Sequence, residues 1–423
     1  DEMSLVLNTP FTIMKTIGIK KLQEKHYFGD QALNKLYNPI HNPRPDSTFK
    51  SLNIVIILVE SLGKESIGGL NKDLLGGKYK GYTPFIDSLL ENSLAFTNAY
   101  ANGRKSIDAL PAVMSSIPSI QEPFILSAYS GNRINSLPKV LKEKGYHTSF
   151  FHGAPNGSMG FSSYVKLAGV DHYYGKTEYN NDADFDGIWG IWDEPFLQYF
   201  AKELNTIKPP FCSTLFTVSS HHPFKVPEQY EGKFPKGPLP VQECFGYTDM
   251  ALRKFFATAA SMPWFNNTLF VLTADHSTIT HLPEYQNIPG AFAIPMLIYY
   301  PGGHLKAKVD KLAQQIDIMP TVLSILNYDK PYFAFGNDLM TKDDNHFVIN
   351  NNDGNYNFYL KNYVLFNNED KSTGLYNLKK DRFMKINLLN ADIPIKQEME
   401  TKLKAFIQQY NNRMIADKIS IAY

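Results

Sequence analysis

The chain is 423 residues long, with 43% apolar and 20% charged residues and 42 Lys plus Arg against 41 Asp plus Glu, a formal net charge of +1. That length exceeds one ordinary core, and a composition free of low-complexity tracts describes a globular protein with one large domain and smaller additions. Balanced charge removes the global field that would recruit nucleic acid or an anionic membrane surface, so any affinity for anions must be local.

Cys212 and Cys244 have no CxxC spacing and no histidines at zinc-finger distance, which argues against a structural zinc site; they read as buried free thiols, a single disulfide being the other reading. No stretch reaches the roughly 18 to 20 apolar residues of a membrane helix. The chain opens Asp1-Glu2 without a signal peptide, and so reads as a piece of a longer precursor whose membrane anchor lies outside this chain.

In chain order, residues 1–50 read as an N-terminal arm and linker, with a moderately amphipathic stretch at 11–25 and the loop-like Asn38-Pro-Ile-His-Asn-Pro-Arg-Pro45. Residues 51–340 read as the main domain. Its first run, Asn53-Ile-Val-Ile-Ile-Leu-Val59, is β-branched and apolar without alternation, the signature of a strand buried on both faces. Similar blocks stand at 148–152, 211–218, 268–273 and 296–300, with helical patterns at 84–92 and 137–144 between them. This alternation predicts an α/β fold whose central, mostly parallel sheet is flanked by helices. Residues 341–423 turn to short strands at 347–350 and 358–366 and a polar helix at 395–417, a small α+β appendage. There is no internal repeat.

In such folds functional loops gather at the carboxyl ends of the strands. Glu60 ends the first strand, His152 the second, His221 follows the third and Asp275-His276 ends the fourth. Two carboxylates and an imidazole suit a divalent cation, whether zinc, manganese or magnesium; the plainer reading makes Asp275 a turn cap and His276 a satisfied histidine. In Asn102-Gly-Arg-Lys-Ser-Ile-Asp-Ala-Leu-Pro111, Ser106 falls where a glycine-loosened loop turns into a helix, beside the cations Arg104 and Lys105. A helix N-terminus favours an oxyanion, and a metal-bound serine can act as an alkoxide; alternatively Ser106 is an ordinary N-cap, with Asp108 in the first turn. His221 in Thr217-Val-Ser-Ser-His-His-Pro-Phe224 and His152 in Phe150-Phe-His-Gly-Ala154 could each contact a phosphoryl oxygen or protonate a leaving group, or be a plain loop or core histidine.

Together these pieces resemble the lipoteichoic acid synthase branch of the alkaline phosphatase superfamily, the phosphoglycerol transferases, over roughly residues 52–390. Ile57-Leu-Val-Glu-Ser-Leu-Gly63 is similar to the family's first metal-ligand strand, Thr83-Pro-Phe-Ile-Asp87 and Phe96-Thr-Asn-Ala-Tyr100 to the segment leading to its nucleophile, and Gly103-Arg-Lys-Ser106 to the nucleophile loop, with serine in place of the usual threonine. Phe151-His-Gly153 and Ser219-Ser-His-His-Pro-Phe224 resemble its two substrate-side histidine motifs, and Thr273-Ala-Asp-His276 its metal pair, with Ser277 where the family usually has Gly. Gly374-Leu-Tyr-Asn-Leu-Lys-Lys-Asp381 is similar to the closing hairpin of sulfatase-like proteins.

The resemblance implies Glu60, Ser106, Asp275 and His276 as ligands of one divalent cation, manganese or magnesium before zinc. It also implies Ser106 and His221 as catalytic groups, and His152, His221, Arg104 and Lys105 on the substrate. The expected activity moves a phosphoglycerol-type headgroup from a lipid donor to a glycan or polymer hydroxyl through a phospho-Ser106 intermediate, at the extracytoplasmic face of the cell membrane. Where lipoteichoic acid synthases carry a tryptophan and an arginine for glycerol phosphate, this chain has Met159 and Phe161, which leaves a phosphodiesterase or a phosphoethanolamine-transferring relative as alternatives. A sulfatase would need Cys/Ser-x-Pro-x-Arg, and Ser106-Ile-Asp-Ala-Leu110 lacks both the Pro and the Arg. Two-metal phosphodiesterases require a further Asp-His-His set, for which His281 and His304 are loose candidates. The remaining alternative is a catalytically silent domain that binds the cell envelope.

Overall fold

β-branched side chains keep Asn53–Val59 (β1) extended, and every one of its residues is buried. In the computed structural model, which describes residues 21–342, 346–352, 354–369 and 371–421, β1 lies in the interior of an eight-stranded sheet. Its other strands are Leu94–Tyr100 (β2), His147–His152 (β3), His172–Tyr174 (β4), Phe211–Phe216 (β5), Thr268–Ala274 (β6), Met296–Tyr299 (β7) and Ala307–Gln314 (β8). They are arranged in the order β4-β3-β5-β1-β6-β7-β2-β8. All pairings are parallel except those of β7, which runs antiparallel to both neighbours.

Successive side chains of β1 enter opposite layers. Ile54, Ile56 and Leu58 pack with Leu110, Val113, Leu137 and Val322, while Val55, Ile57 and Val59 pack with Leu89, Phe200, Phe255 and Leu252. Helices thus cover both faces, as a continuous apolar run demands.

Three strands of this sheet were not read from the sequence: β2, β4 and β8. The block at 211–218 stops pairing at Phe216, and the run at 358–366 is two strands joined by a turn in which Lys361 has φ 54°. They belong to a four-stranded antiparallel sheet of Phe347–Asn352, Asn355–Leu360, Tyr363–Asn367 and Ser372–Asn377. Phe347, Ile349, Phe358 and Leu375 of that sheet share one apolar cluster with β1 and with Leu403 and Phe406 of the helix Pro394–Ile415.

The amides of that polar helix serve backbone. Gln408 Oε1 accepts from the N–H groups of Tyr27 (2.8 Å) and Phe28 (2.9 Å), and Asn412 accepts from and donates to Lys25. Of the amphipathic stretch at 11–25, residues 11–20 lie outside the described residues. Cys212 and Cys244 are free and buried, and burial pushes both thiols up to about 12. Among the described residues no helix is long and apolar enough to cross a membrane.

Candidate metal and nucleophile site

Register decides which side chains meet. Val59 pairs with Ala274, so Glu60 and Asp275 leave adjacent parallel strands side by side; Leu58 pairs with Phe216, and Phe216 with His152, which brings the third and fourth strand ends to the same edge. Immediately after Glu60 the chain turns sharply at Ser61, a non-glycine residue at φ 60°. This left-handed conformation costs about 1–2 kcal/mol, and it aims the Ser61 N–H at Asp275 Oδ1 (2.7 Å) while the hydroxyl donates to Glu60 Oε1 (2.7 Å). Glu60 is held from a third strand as well, its N–H donating to Thr217 Oγ1 (2.9 Å) and its carbonyl accepting from Ser220 Oγ (2.7 Å).

Ser106 arrives from the other half of the sheet, one loop beyond β2. Asn102, wholly buried, pins that loop: its amide donates to Gln314 Oε1 and the Ile349 carbonyl, its Oδ1 accepts from Ile316 N–H, and its N–H donates to Gln315 Oε1. Gln315 in turn donates to the carbonyls of Ala274 and Asp275 (both 2.7 Å), so one amide ties the serine loop to the Asp275 loop. The helix Ser106–Ser115 has Lys105 at its N-cap position, and Asp108 in its first turn reaches back to accept from the N–H groups of Arg104 and Lys105 (both 3.1 Å). Ser106 is therefore the first helical residue and not the cap. Its hydroxyl instead donates to Glu60 Oε2 (3.1 Å) and lies 3.3 Å from His276 Nε2.

His276 Nδ1 lies 2.9 Å from the Ser277 carbonyl, which can only accept, so Nδ1 carries the proton and Nε2 offers a lone pair. That lone pair lies 3.1 Å from Asp275 Oδ2 and 3.7 Å from Glu60 Oε1. Asp275 Oδ2 receives no hydrogen-bond donor although it is fully buried. Two carboxylate oxygens, an imidazole nitrogen and a hydroxyl oxygen thus converge with too few protons among them, a donor set that fits a divalent cation. Burial, then the charge of Glu60, push the Asp275 carboxyl up to about 8. For His276 burial, which lowers, is outweighed by Asp275 and Glu60, and the imidazole is raised.

His152 is buried, and its Nδ1 donates to the Phe216 carbonyl (3.1 Å), leaving Nε2 without a partner. Burial lowers it to about 4, with Glu60 and His221 close enough to act on it. His221 Nδ1 is likewise unpartnered, and its ring lies against Trp189, centroids 3.7 Å apart. Arg104 and Lys105 are exposed; the Arg104 guanidinium sits 5.7 Å from the Phe292 ring, away from the four donors. Phe161 is fully buried against Phe150 and His152, and Met159 packs half-buried on the core.

His281 and His304 do not make a second metal set. His281 Nδ1 pairs with buried Glu65 (3.0 Å), His304 is exposed, and among the described residues no second cluster of metal donors is found. Three supports went unread in the sequence. Trp189 sits on an unremarkable turn, while Gln315 is a lone amide. Asp193 accepts from Val218 N–H (2.8 Å), Ser219 N–H (3.2 Å) and the Thr248 hydroxyl (2.8 Å), stiffening the loop that carries His221.

A family model described as sulfatase matches residues 52–328. The lipoteichoic acid synthase-like YvgJ of Bacillus subtilis (strain 168) is 23% identical over 388 residues, covering 84% of this chain; the chain spans only 61% of that relative's length. A protein in the alkaline phosphatase superfamily from Vibrio parahaemolyticus superposes with a TM-score of 0.79 at 24% identity, over 95% of this chain and 99% of that one. The lipoteichoic acid synthase LtaP from Listeria monocytogenes gives 0.72 at 21% identity, over 91% and 98%. Those likenesses concern the fold, and the match over residues 52–328 shows the family: the chain belongs to the sulfatase family.

Proposed function

We propose that this chain is a metal-dependent phosphotransferase that moves a phosphoglycerol-type headgroup from a lipid to an acceptor hydroxyl. The observation that carries the reading is the Ser106 hydroxyl, on the first helical residue rather than the cap, and set between Glu60 Oε2 and His276 Nε2. Likeness to lipoteichoic acid synthases supports phosphodiester chemistry on a lipid donor; in this reading the work is done at the extracytoplasmic face of the membrane, with a glycan or polymer as acceptor.

Glu60, Ser106, Asp275 and His276 would hold one divalent cation, manganese or magnesium. When bound, the cation stabilises the deprotonated Ser106 oxygen at neutral pH. Ser106 Oγ then forms a bond to phosphorus as the bond to the lipid oxygen breaks, and His221 gives a proton to the departing alkoxide. In the second half the acceptor hydroxyl transfers its proton to His221 and bonds to phosphorus, and the Ser106 oxygen leaves. His152, neutral at working pH with Nδ1–H committed to Phe216, presents Nε2 as an acceptor, suited to a hydroxyl of the substrate. Arg104 and Lys105 add positive charge at the mouth. A cleft of about 1040 Å³ beside the His221 loop, lined by Phe185, Trp192, Glu194, Phe224 and Tyr247, offers room for the acceptor.

Incubation with phosphatidylglycerol vesicles and Mn²⁺ tests the reading through release of diacylglycerol. Release is expected from the wild type and not from Ser106→Ala or Glu60→Gln. A protein that binds vesicles and metal yet releases none would instead be the silent envelope-binding domain.

A further inference from the structure

The loop at residues 183–192 joins the two histidine-bearing loops. At one end Ile191 N–H donates to the Gly153 carbonyl (2.9 Å), next to His152, and Gly190 lies so close that a Cβ there would come within 2.8 Å of Gly153. At the other end the Trp189 indole N–H donates to the His222 carbonyl, and its ring covers His221 with centroids 3.7 Å apart and planes inclined by 37°. Asp186 locks the turn between them, its Oδ1 accepting from the N–H groups of Ile188 (2.8 Å), Trp189 (2.7 Å) and Gly190 (3.1 Å). Trp189 nonetheless remains 37% exposed, unusual for so large an apolar side chain in so ordered a turn. His221 has no hydrogen bond at Nδ1 to fix its ring, so the stack on Trp189 takes that role.

We propose that Trp189 is a positioning residue, holding the His221 ring at the angle from which it hands its proton to the leaving alkoxide. This rests on the phosphotransfer reading of the same site. A proton donor matters for an alkoxide and little for 4-nitrophenolate, which departs unprotonated. Two probes therefore separate positioning from general damage: phosphatidylglycerol and bis(4-nitrophenyl) phosphate, each with the full chain and Mn²⁺.

Trp189→Ala should lower kcat on phosphatidylglycerol by about ten-fold or more, with KM little changed and the first-half release of 4-nitrophenolate, read as a pre-steady-state burst, within about two-fold. Trp189→Phe, which keeps the stack, should restore most of the lipid rate. His221→Ala should lower turnover of phosphatidylglycerol at least as far as Trp189→Ala does. Equal losses on both esters, a rise in KM alone, or failure of phenylalanine to rescue would each overturn the proposal. A second readout needs no turnover. The indole ring current should move the His221 ring protons upfield in the wild type relative to Trp189→Ala, and coincident resonances would refute the stack in solution. A wild type inactive on both esters would contradict the phosphotransfer reading, with the resonances still deciding the positioning.

Discussion

A serine hydroxyl is a weak nucleophile at neutral pH, and what sets Ser106 apart is two carboxylates crowded against one imidazole lone pair. That crowding has a measurable sign. The folded chain holds Asp275 protonated up to about 8, so in metal-free protein this group contributes stability that is complete below the ordinary carboxylate range and is lost as pH rises toward 8. His276, also raised, acts in the same direction. The thermal midpoint in EDTA should accordingly fall between pH 5 and pH 8.5, and saturating Mn²⁺ should reverse the fall, by about 2.7 kcal/mol at a hundred times the dissociation constant. A midpoint in EDTA that climbs over this interval would refute the crowding. Asp275→Asn should separate the two effects. It relieves repulsion with Glu60, raising the metal-free midpoint at pH 8, yet weakens Mn²⁺ binding by at least about 100-fold, as calorimetry can measure.

Whole elements meet at close quarters around this site. A Cβ on Gly63 would stand 2.5 Å from Ser277 Oγ, so the turn after β1 and the loop after β6 fit only because one side lacks a side chain. Gly63→Ala should destabilise by about 1–3 kcal/mol, and adding Ser277→Gly should recover most of it; denaturant titration of the single and double variants checks the coupling. Strand β1 was legible because burial on both faces leaves an unbroken apolar run. By contrast β8, with its sequence Ala-Lys-Val-Asp-Lys-Leu-Ala-Gln, is a half-exposed edge strand, and such strands carry charge where central ones carry valine. β7 looked like its neighbours because direction leaves no mark on a short buried strand.

At the scale of the molecule, Gln408 and Asn412 fasten the segment at residues 25–28 to the C-terminal helix, and the small antiparallel sheet shares its apolar cluster with the main one. Gln408→Ala leaves two backbone N–H groups without an acceptor, and should lower stability by about 1–3 kcal/mol while turnover at 25 °C is unchanged, as denaturation and activity measured on one sample would show. The cluster of Glu60, Asp275 and His276 was legible because each follows a readable strand. Gln315, Asp193 and Trp189 were not, because each acts across more than 20 residues of sequence through contacts that local pattern does not encode. Ser106 was ambiguous until Lys105 proved to hold the N-cap position and Ser106 the first helical one. The most direct test of the account is peptide mass spectrometry after incubation with phosphatidylglycerol and Mn²⁺. A phosphoglycerol adduct should appear on Ser106 and be absent from Ser106→Ala; an adduct that persists in the alanine variant would contradict it.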